Sequence, residues 1–185
     1  MLSWLRGRGL GPRLGAVSNA GFECVAIADS LGPLQLARFS DDTVSLLHHL
    51  LESNRLGGVV DVNNPLDLTP MTPDEPYESA VRAVLADAHV DVGVVACVPL
   101  TPALNTLAPG PGHNEDVTNY NSVASRITRA ITEQPKACVA VVDGGDIYDP
   151  MATALRAAAI PTFRTADRAV RLLGQVVSHA HPRFR

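Results

Sequence analysis

Lysine is almost missing from this chain: Lys136 is the only one in 185 residues, and the other cations are arginines spread along the sequence. At a net charge of -4, that leaves no basic stripe for a nucleic-acid backbone to follow. Cysteine is scarce as well. Cys24, Cys97 and Cys138 lie far apart on apolar segments without a CxxC, which excludes a disulfide framework or zinc knot and reads as buried, reduced thiols of a cytoplasmic protein. No apolar run approaches the ~20 residues that cross a bilayer. The basic, Gly-rich start, 1–13, is not followed by the apolar core of a signal peptide. It reads as a linker or a remnant of preceding sequence, and 180–185 reads as a tail, leaving 14–179 as a single domain.

The familiar phosphate and nucleophile motifs are absent too. There is no GxxxxGK[ST] loop, and no GxGxxG follows the first strand signal, so neither a P-loop nor ordinary dinucleotide binding is indicated. A response-regulator receiver needs clustered acids where this chain has Ser18-Asn19. No GxSxG elbow is present, and no nucleophile–base pair can be assembled. The sequence assigns no catalytic residue and no metal site.

What is present is a regular alternation of strand and helix signals. Leu14–Val17 reads as a strand and Phe22–Leu31 as a helix. Leu34–Phe39 is a second strand, followed by a helix capped by Asp41 and Asp42, with Leu46, Leu47, Leu50 and Leu51 inward. Gly58–Val62 reads as a short extended run. A helix spans Pro73–Ala88, with Tyr77, Val81 and Leu85 spaced by four. Val90–Val98 and Ala137–Val142 are near-continuous apolar runs, as in parallel strands buried on both faces. Helices at 123–132, 151–159 and 166–178 and a short strand at 161–164 complete the pattern. Alternating units of this size predict an α/β fold: a doubly wound, mainly parallel sheet with helices on both faces. In such sheets ligands collect at the carboxyl ends of the strands.

Polar residues concentrate at those ends. The first is Ser18-Asn19-Ala20-Gly21 with Phe22 and Glu23, a strand running straight into a helix. Four N–H groups at a helix start lack partners inside the helix, and the dipole adds positive charge there, so a phosphate fits without any cationic side chain. The same turn also serves as a plain cap. The crevice is completed by Asn64, Pro65 and Asp67, by Pro99 at the head of a long loop to Asn119, and by Asp143 and Gly144. The Asn19 and Asn64 amides are expected to donate to an oxyanion, and Asp67 to fix its own loop. Asp143 and Asp146 are read as caps of the next helix rather than as a magnesium pair. His113 in the long loop is read as a solvated residue, with phospho-acceptor or metal ligand as the alternatives. His48, His49, His179 and His181 are assigned nothing.

Taken in order, VSNAGFECVAIADSLG, NNPLDLTP, VDVGVVACVPLTP and AAAIPTFRTADRAVRLLG resemble the C-terminal flavodoxin-like domain of NDP-forming acyl-CoA synthetases, relatives of succinyl-CoA synthetase. The resemblance runs from about Gly15 to Gly174. It implies a flavodoxin-like fold and a part in an acid–thiol ligase, which makes an acyl-CoA through an acyl phosphate and a phosphohistidine. It further implies that the phosphohistidine belongs to another domain and docks between two helix N-termini, one of them matching Ser18 to Glu23 here. ATP, with magnesium, and CoA are implied as cofactors of the parent enzyme, held by ATP-grasp and CoA-binding domains, with none bound by this domain alone.

Where the family commonly has Gly-Gly-Pro-Gly, this chain has Gly21-Phe22-Glu23-Cys24. Phe22 narrows the approach. Glu23 either points away, contacts a histidine, or closes the turn to anions. The alternative reading is therefore a stand-alone binding or scaffolding domain that kept the fold. On the first reading, the helix face or strand ends that dock partner domains should expose apolar side chains, with the 99–119 loop over part of them, whereas scattered single apolar residues there mark an independent domain. The purified chain, given ATP, CoA and short acids, is expected to form no thioester. Thioester above a no-enzyme control overturns that expectation.

Overall fold

The computed structural model describes residues 8–180. The chain order is β1 (Arg13–Ser18), α1 (Gly21–Ala28), β2 (Gln35–Leu36), α2 (Asp41–Ser53), β3 (Leu66–Asp67), α3 (Asp74–Ala86) and β4 (Val92–Cys97). It continues with α4 (Val123–Thr132), β5 (Ala137–Val142), a 3-10 turn (Asp146–Tyr148), α5 (Asp149–Ala157), β6 (Thr162–Phe163) and α6 (Ala166–Ala180). All pairings are parallel, in the order β2-β1-β4-β5-β6, with β3 also on β1.

Parallel strands joined by helices need cover on both faces, and β4 and β5 are buried throughout. Leu14, Ala16, Val92, Val94, Val139 and Val141 pack under α1 and α6. Val17, Val95, Cys97, Cys138, Ala140 and Val142 face the opposite layer, α2 to α5. Tyr77 is fully buried in that layer, and its hydroxyl donates to the Ala96 carbonyl. The expected thiols divide: Cys97 and Cys138 are buried, whereas Cys24 on α1 is only partly so.

The β1 edge departs most from the sequence reading. The second strand is not Leu34–Phe39 but Gln35–Leu36, paired with Arg13 and Leu14. The Gly58–Val62 run forms no strand; Leu66 and Asp67 pair with Val17 and Ser18 instead. Two short strands thus share one edge of β1, and the gap between them is closed by a side chain. Asn64 Oδ1 accepts from the Ala16 N–H at 3.0 Å, and Nδ2 donates to the carbonyls of Leu14 at 2.7 Å and Ala37 at 2.9 Å. Strand backbone groups must find partners, and a carboxamide has the donor–acceptor pair of a peptide.

Smaller corrections follow from capping. Ser40, not Asp41 or Asp42, caps α2 by accepting from the Thr43 N–H, and the aspartates fill the first turn. Leu47 and Leu51 face inward there, but Leu46 is exposed. The 99–119 loop is pinned: Glu115 Oε2 accepts from the N–H groups of Thr106 (2.7 Å) and Leu107 (3.0 Å), and Asp74 accepts from the Asn105 N–H (3.1 Å). Leu104 and Val117 are buried beneath it. Of the expected linker, 1–7 lies outside the described residues, while Gly9 bridges Lys136 beside β5. Of the expected tail, 181–185 lies outside them, and Ala180 ends α6.

Replacing Asn64 by Ala leaves the Ala16 N–H and the Ala37 carbonyl without a partner and the Leu14 carbonyl with only the Ala37 N–H, at a cost of about 2–3 kcal/mol. Urea unfolding of Asn64→Ala is expected to show that loss; an unchanged midpoint contradicts the bridging role.

Candidate functional site

The turn after β1 is built by its own side chains. Ser18 and Asn19 are both buried. Asn19 Oδ1 accepts from the Val98 N–H at 2.8 Å and its Nδ2 donates to the Val98 carbonyl at 2.9 Å. This pair stitches together the ends of β1 and β4, where the strand order reverses and ligands of such sheets bind. The amides of Asn19 and Asn64, expected to face an oxyanion, are therefore spent on backbone. The sequence shows an amide but not that strand ends lack neighbours at those positions.

Glu23 folds inward under the turn and is fully buried. The Ser18 hydroxyl donates to its Oε2 at 2.5 Å and accepts from the Ala20 N–H at 3.1 Å. The second oxygen, Oε1, is buried with no partner. Burial pushes the Glu23 carboxyl up to about 7, the Ser18 bond opposes the shift, and the charge of Asp143 adds to it. The carboxylate does not lie over the N–H groups of the turn.

Those donors are fewer than the four expected. Ala20 donates to Ser18, and the Glu23 and Cys24 N–H groups return to the Ala20 carbonyl at 3.1 and 3.3 Å. Ala20 is the N-cap, so no side chain caps α1. The N–H groups of Gly21 and Phe22 have no acceptor among the described residues, and both residues are exposed. Asp67 Oδ1 accepts from the Thr69 N–H at 2.9 Å. Its Oδ2 stands only 3.1 Å from where a Cβ on residue 21 would sit, so glycine lets the loop after β3 close against the helix start.

The remaining crevice residues are brought to the same edge. Pro65 follows Asn64 through a cis peptide bond into β3. Gly144 faces Pro99 and Tyr148 so closely that a Cβ would lie 3.0 and 2.8 Å from their side chains. The Asp143 N–H donates to the Cys97 carbonyl at 3.0 Å. The carboxylates of Asp143 and Asp146 accept no hydrogen bond among the described residues, so neither caps a helix as expected; the 3-10 turn begins behind Gly145 without a side-chain cap. The nearby cleft between Pro99, Thr106, Glu115 and Tyr148 holds about 240 Å³, below the ~300–1,000 Å³ of small-molecule sites. His113 is exposed, its Nδ1 accepting from the Glu115 N–H at 3.2 Å. No group of three or more metal-ligating side chains is gathered among the described residues. None of their helices is long and apolar enough to cross a membrane.

Exposed apolar side chains do mark this edge. Phe22, at the start of α1, and Met71, Leu100 and Ile147, which follow β3, β4 and β5, are 60, 62, 79 and 64% exposed. The sequence reading names neither Met71 nor Ile147. Their only signal was a large apolar residue inside a turn of Pro, Thr or Gly.

Neither a family model nor a curated protein matches the chain. Solved structures do share its fold. A Pyrococcus horikoshii OT3 protein, PH0766, aligns at a TM-score of 0.75 and 24% identity, over 94% of this chain and 37% of its own. The Ca. Korarchaeum cryptofilum dinucleotide forming acetyl-coenzyme A synthetase 1 aligns in its apo form at 0.75 and 21% identity, over 97% of this chain and 35% of its own. In complex with phosphate and ADP the same synthetase aligns at 0.74 and 20%. The likeness establishes the fold, and the chain spans about a third of the length of these structures.

Glu23 makes stability depend on pH with a definite sign. Its folded value, about 7, lies above the ordinary 4.5, so the neutral form is favoured by folding. The stabilisation is complete below about 4.5, declines as pH rises towards 7, and is then gone, a change of roughly 3 kcal/mol by linkage. Asp74, also pushed up by burial, contributes with the same sign. Urea midpoints are therefore expected to fall between pH 4.5 and 7, more steeply in the wild type than in Glu23→Gln. Equal slopes refute the assignment.

Proposed function

We propose that this chain serves as the flavodoxin-like domain, over 14–179, of an NDP-forming acyl-CoA synthetase, and that α1 offers its N-terminus to a phosphoryl group on a histidine of another domain. The observation that carries this reading is the uncapped start of α1. Gly21 and Phe22 present two N–H groups without acceptors, exposed and at the dipole's positive end. Ser18, Asn19, Ala20 and Glu23 shape the turn, while Asn64, Pro65, Asp67, Pro99, Asp143 and Gly144 frame it. The fold shared with a synthetase solved with phosphate and ADP supports the same reading. ATP with magnesium and CoA belong, on this proposal, to the ATP-grasp and CoA-binding domains, and the assembled enzyme works in the cytoplasm.

The alternative, a non-catalytic scaffolding domain, gains support from the Asp67 carboxylate beside the two donors. The difference is measurable. Inorganic phosphate and N-phosphoimidazole, titrated into 15N-labelled chain, are expected to shift the Gly21 and Phe22 amides. Ala20→Asp places a carboxylate at the N-cap, where it accepts from the Phe22 or Glu23 N–H, sets a negative charge beside the Gly21 N–H and adds about 1 kcal/mol to helix stability. It is expected to raise the urea midpoint and abolish the shifts. No response at Gly21 and Phe22 in the wild type favours the scaffold. A soaked sulfate at this turn in a crystal supports the anion site.

A further inference from the structure

The edge that carries the α1 turn combines two properties rarely left open together. Four large apolar side chains, Phe22, Met71, Leu100 and Ile147, project from it, each more than half exposed. The stretches 18–23, 67–72, 98–104 and 143–148 also contain Glu23, Asp67, Asp143 and Asp146, and not one lysine or arginine.

Contacts tie these loops into one surface. Asp67 lies against Gly21. The Thr101 hydroxyl donates to the Pro70 carbonyl, joining the loops of Met71 and Leu100. Pro99 packs on Gly144, joining the loops of Leu100 and Ile147. One cation, Arg164, reaches this edge, and it is already engaged by Asp149 at 2.9 Å and by the carbonyls of Gly144 and Gly145. Asp143 and Asp146 accept nothing among the described residues, and beneath them Glu23 Oε1 is buried without a donor. An apolar surface of one charge sign favours a partner of the opposite sign and rejects a like one.

We infer that this edge docks a protein segment bearing apolar side chains flanked by arginine or lysine. The inference deepens the reading of this edge as the working face of a synthetase domain, and rests on that reading only for its place in the enzyme. A phosphoryl group meeting Gly21 and Phe22 also meets the field of Asp67 and Asp143. A segment that brings its own cations offsets that repulsion, so the surface admits the anion together with its carrier.

The probe is a pair of amphipathic helical peptides with one leucine pattern, arginine at every polar position in one and glutamate in the other. Each is titrated into the full chain with labelled Met, Leu, Val and Ile methyls. The arginine peptide is expected to shift Met71, Leu100 and Ile147 and to leave Leu46 and Val59, exposed elsewhere, unmoved. Raising the salt from 0.05 to 0.5 M and the combined Asp67→Asn, Asp143→Asn and Asp146→Asn change should each weaken binding by roughly tenfold. Leu100→Ser with Ile147→Ser should remove it. Equal binding of the glutamate peptide, shifts centred on Leu46 and Val59, or no binding by either peptide overturns the inference. The phosphate titration at Gly21 and Phe22 is scored separately, so a failed phosphoryl site and a failed docking surface give different results.

Discussion

Every N–H and C=O along β1 needs a partner, and the rest of the molecule is arranged around that demand. β4 meets one edge over four consecutive residues, while β2 and β3 meet only the two ends of the other. Carboxamides supply what strands do not: Asn64 in the gap between β2 and β3, and Asn19 beyond the last pair with β4. These two side chains fix where the loop after β1 leaves the sheet. They therefore fix where α1 starts and which of its N–H groups remain open. The amide at each place, buried at Asn19 and partly buried at Asn64, is satisfied on both its donor and acceptor sides, which makes the turn rigid without help from a ligand.

That rigidity bears on the electrostatics of the edge. Glu23 stands in the first turn of α1, where the dipole favours a negative charge, yet burial favours the neutral form. Burial dominates, because only one carboxyl oxygen has a partner. The charge closest to the open donors is then Asp67, from a different strand. The edge is not a simple anion cradle. It is a patch where two backbone donors sit among carboxylates and apolar tips, an arrangement suited to a ligand carried on a protein segment.

The long periodic elements were legible in the sequence. α4 and β5 fall on the expected residues because their apolar spacing has one interpretation, and β4 reads as a buried parallel strand for the same reason. The β1 edge was not legible. Leu34–Phe39 and Gly58–Val62 look more like strands than Leu66–Asp67, but strands two residues long are selected by register against β1, a non-local property. The start of α1 was visible as a motif, whereas the destination of the Glu23 carboxylate was not, since it depends on Ser18 beneath it. Asp143 and Asp146 looked like caps by composition. Their loop instead turns through Gly144, held by close packing on Pro99.

The shared edge of β1 also divides the molecule mechanically. The stretch from β2 to β3, with α2 between, is attached to the sheet through two short pairings and the Asn64 amide, whereas β1, β4 and β5 form a continuous three-strand ladder. Side chains hold this stretch where strand pairing does not: Leu47, Leu51, Leu66 and Leu68 are buried in the core, and the Asp87 carboxylate accepts from the Ser40 N–H and hydroxyl. Asp67 ends the same stretch and rests against Gly21. The charge at the start of α1 is therefore placed by the side-chain packing of an edge strand rather than by the helix itself.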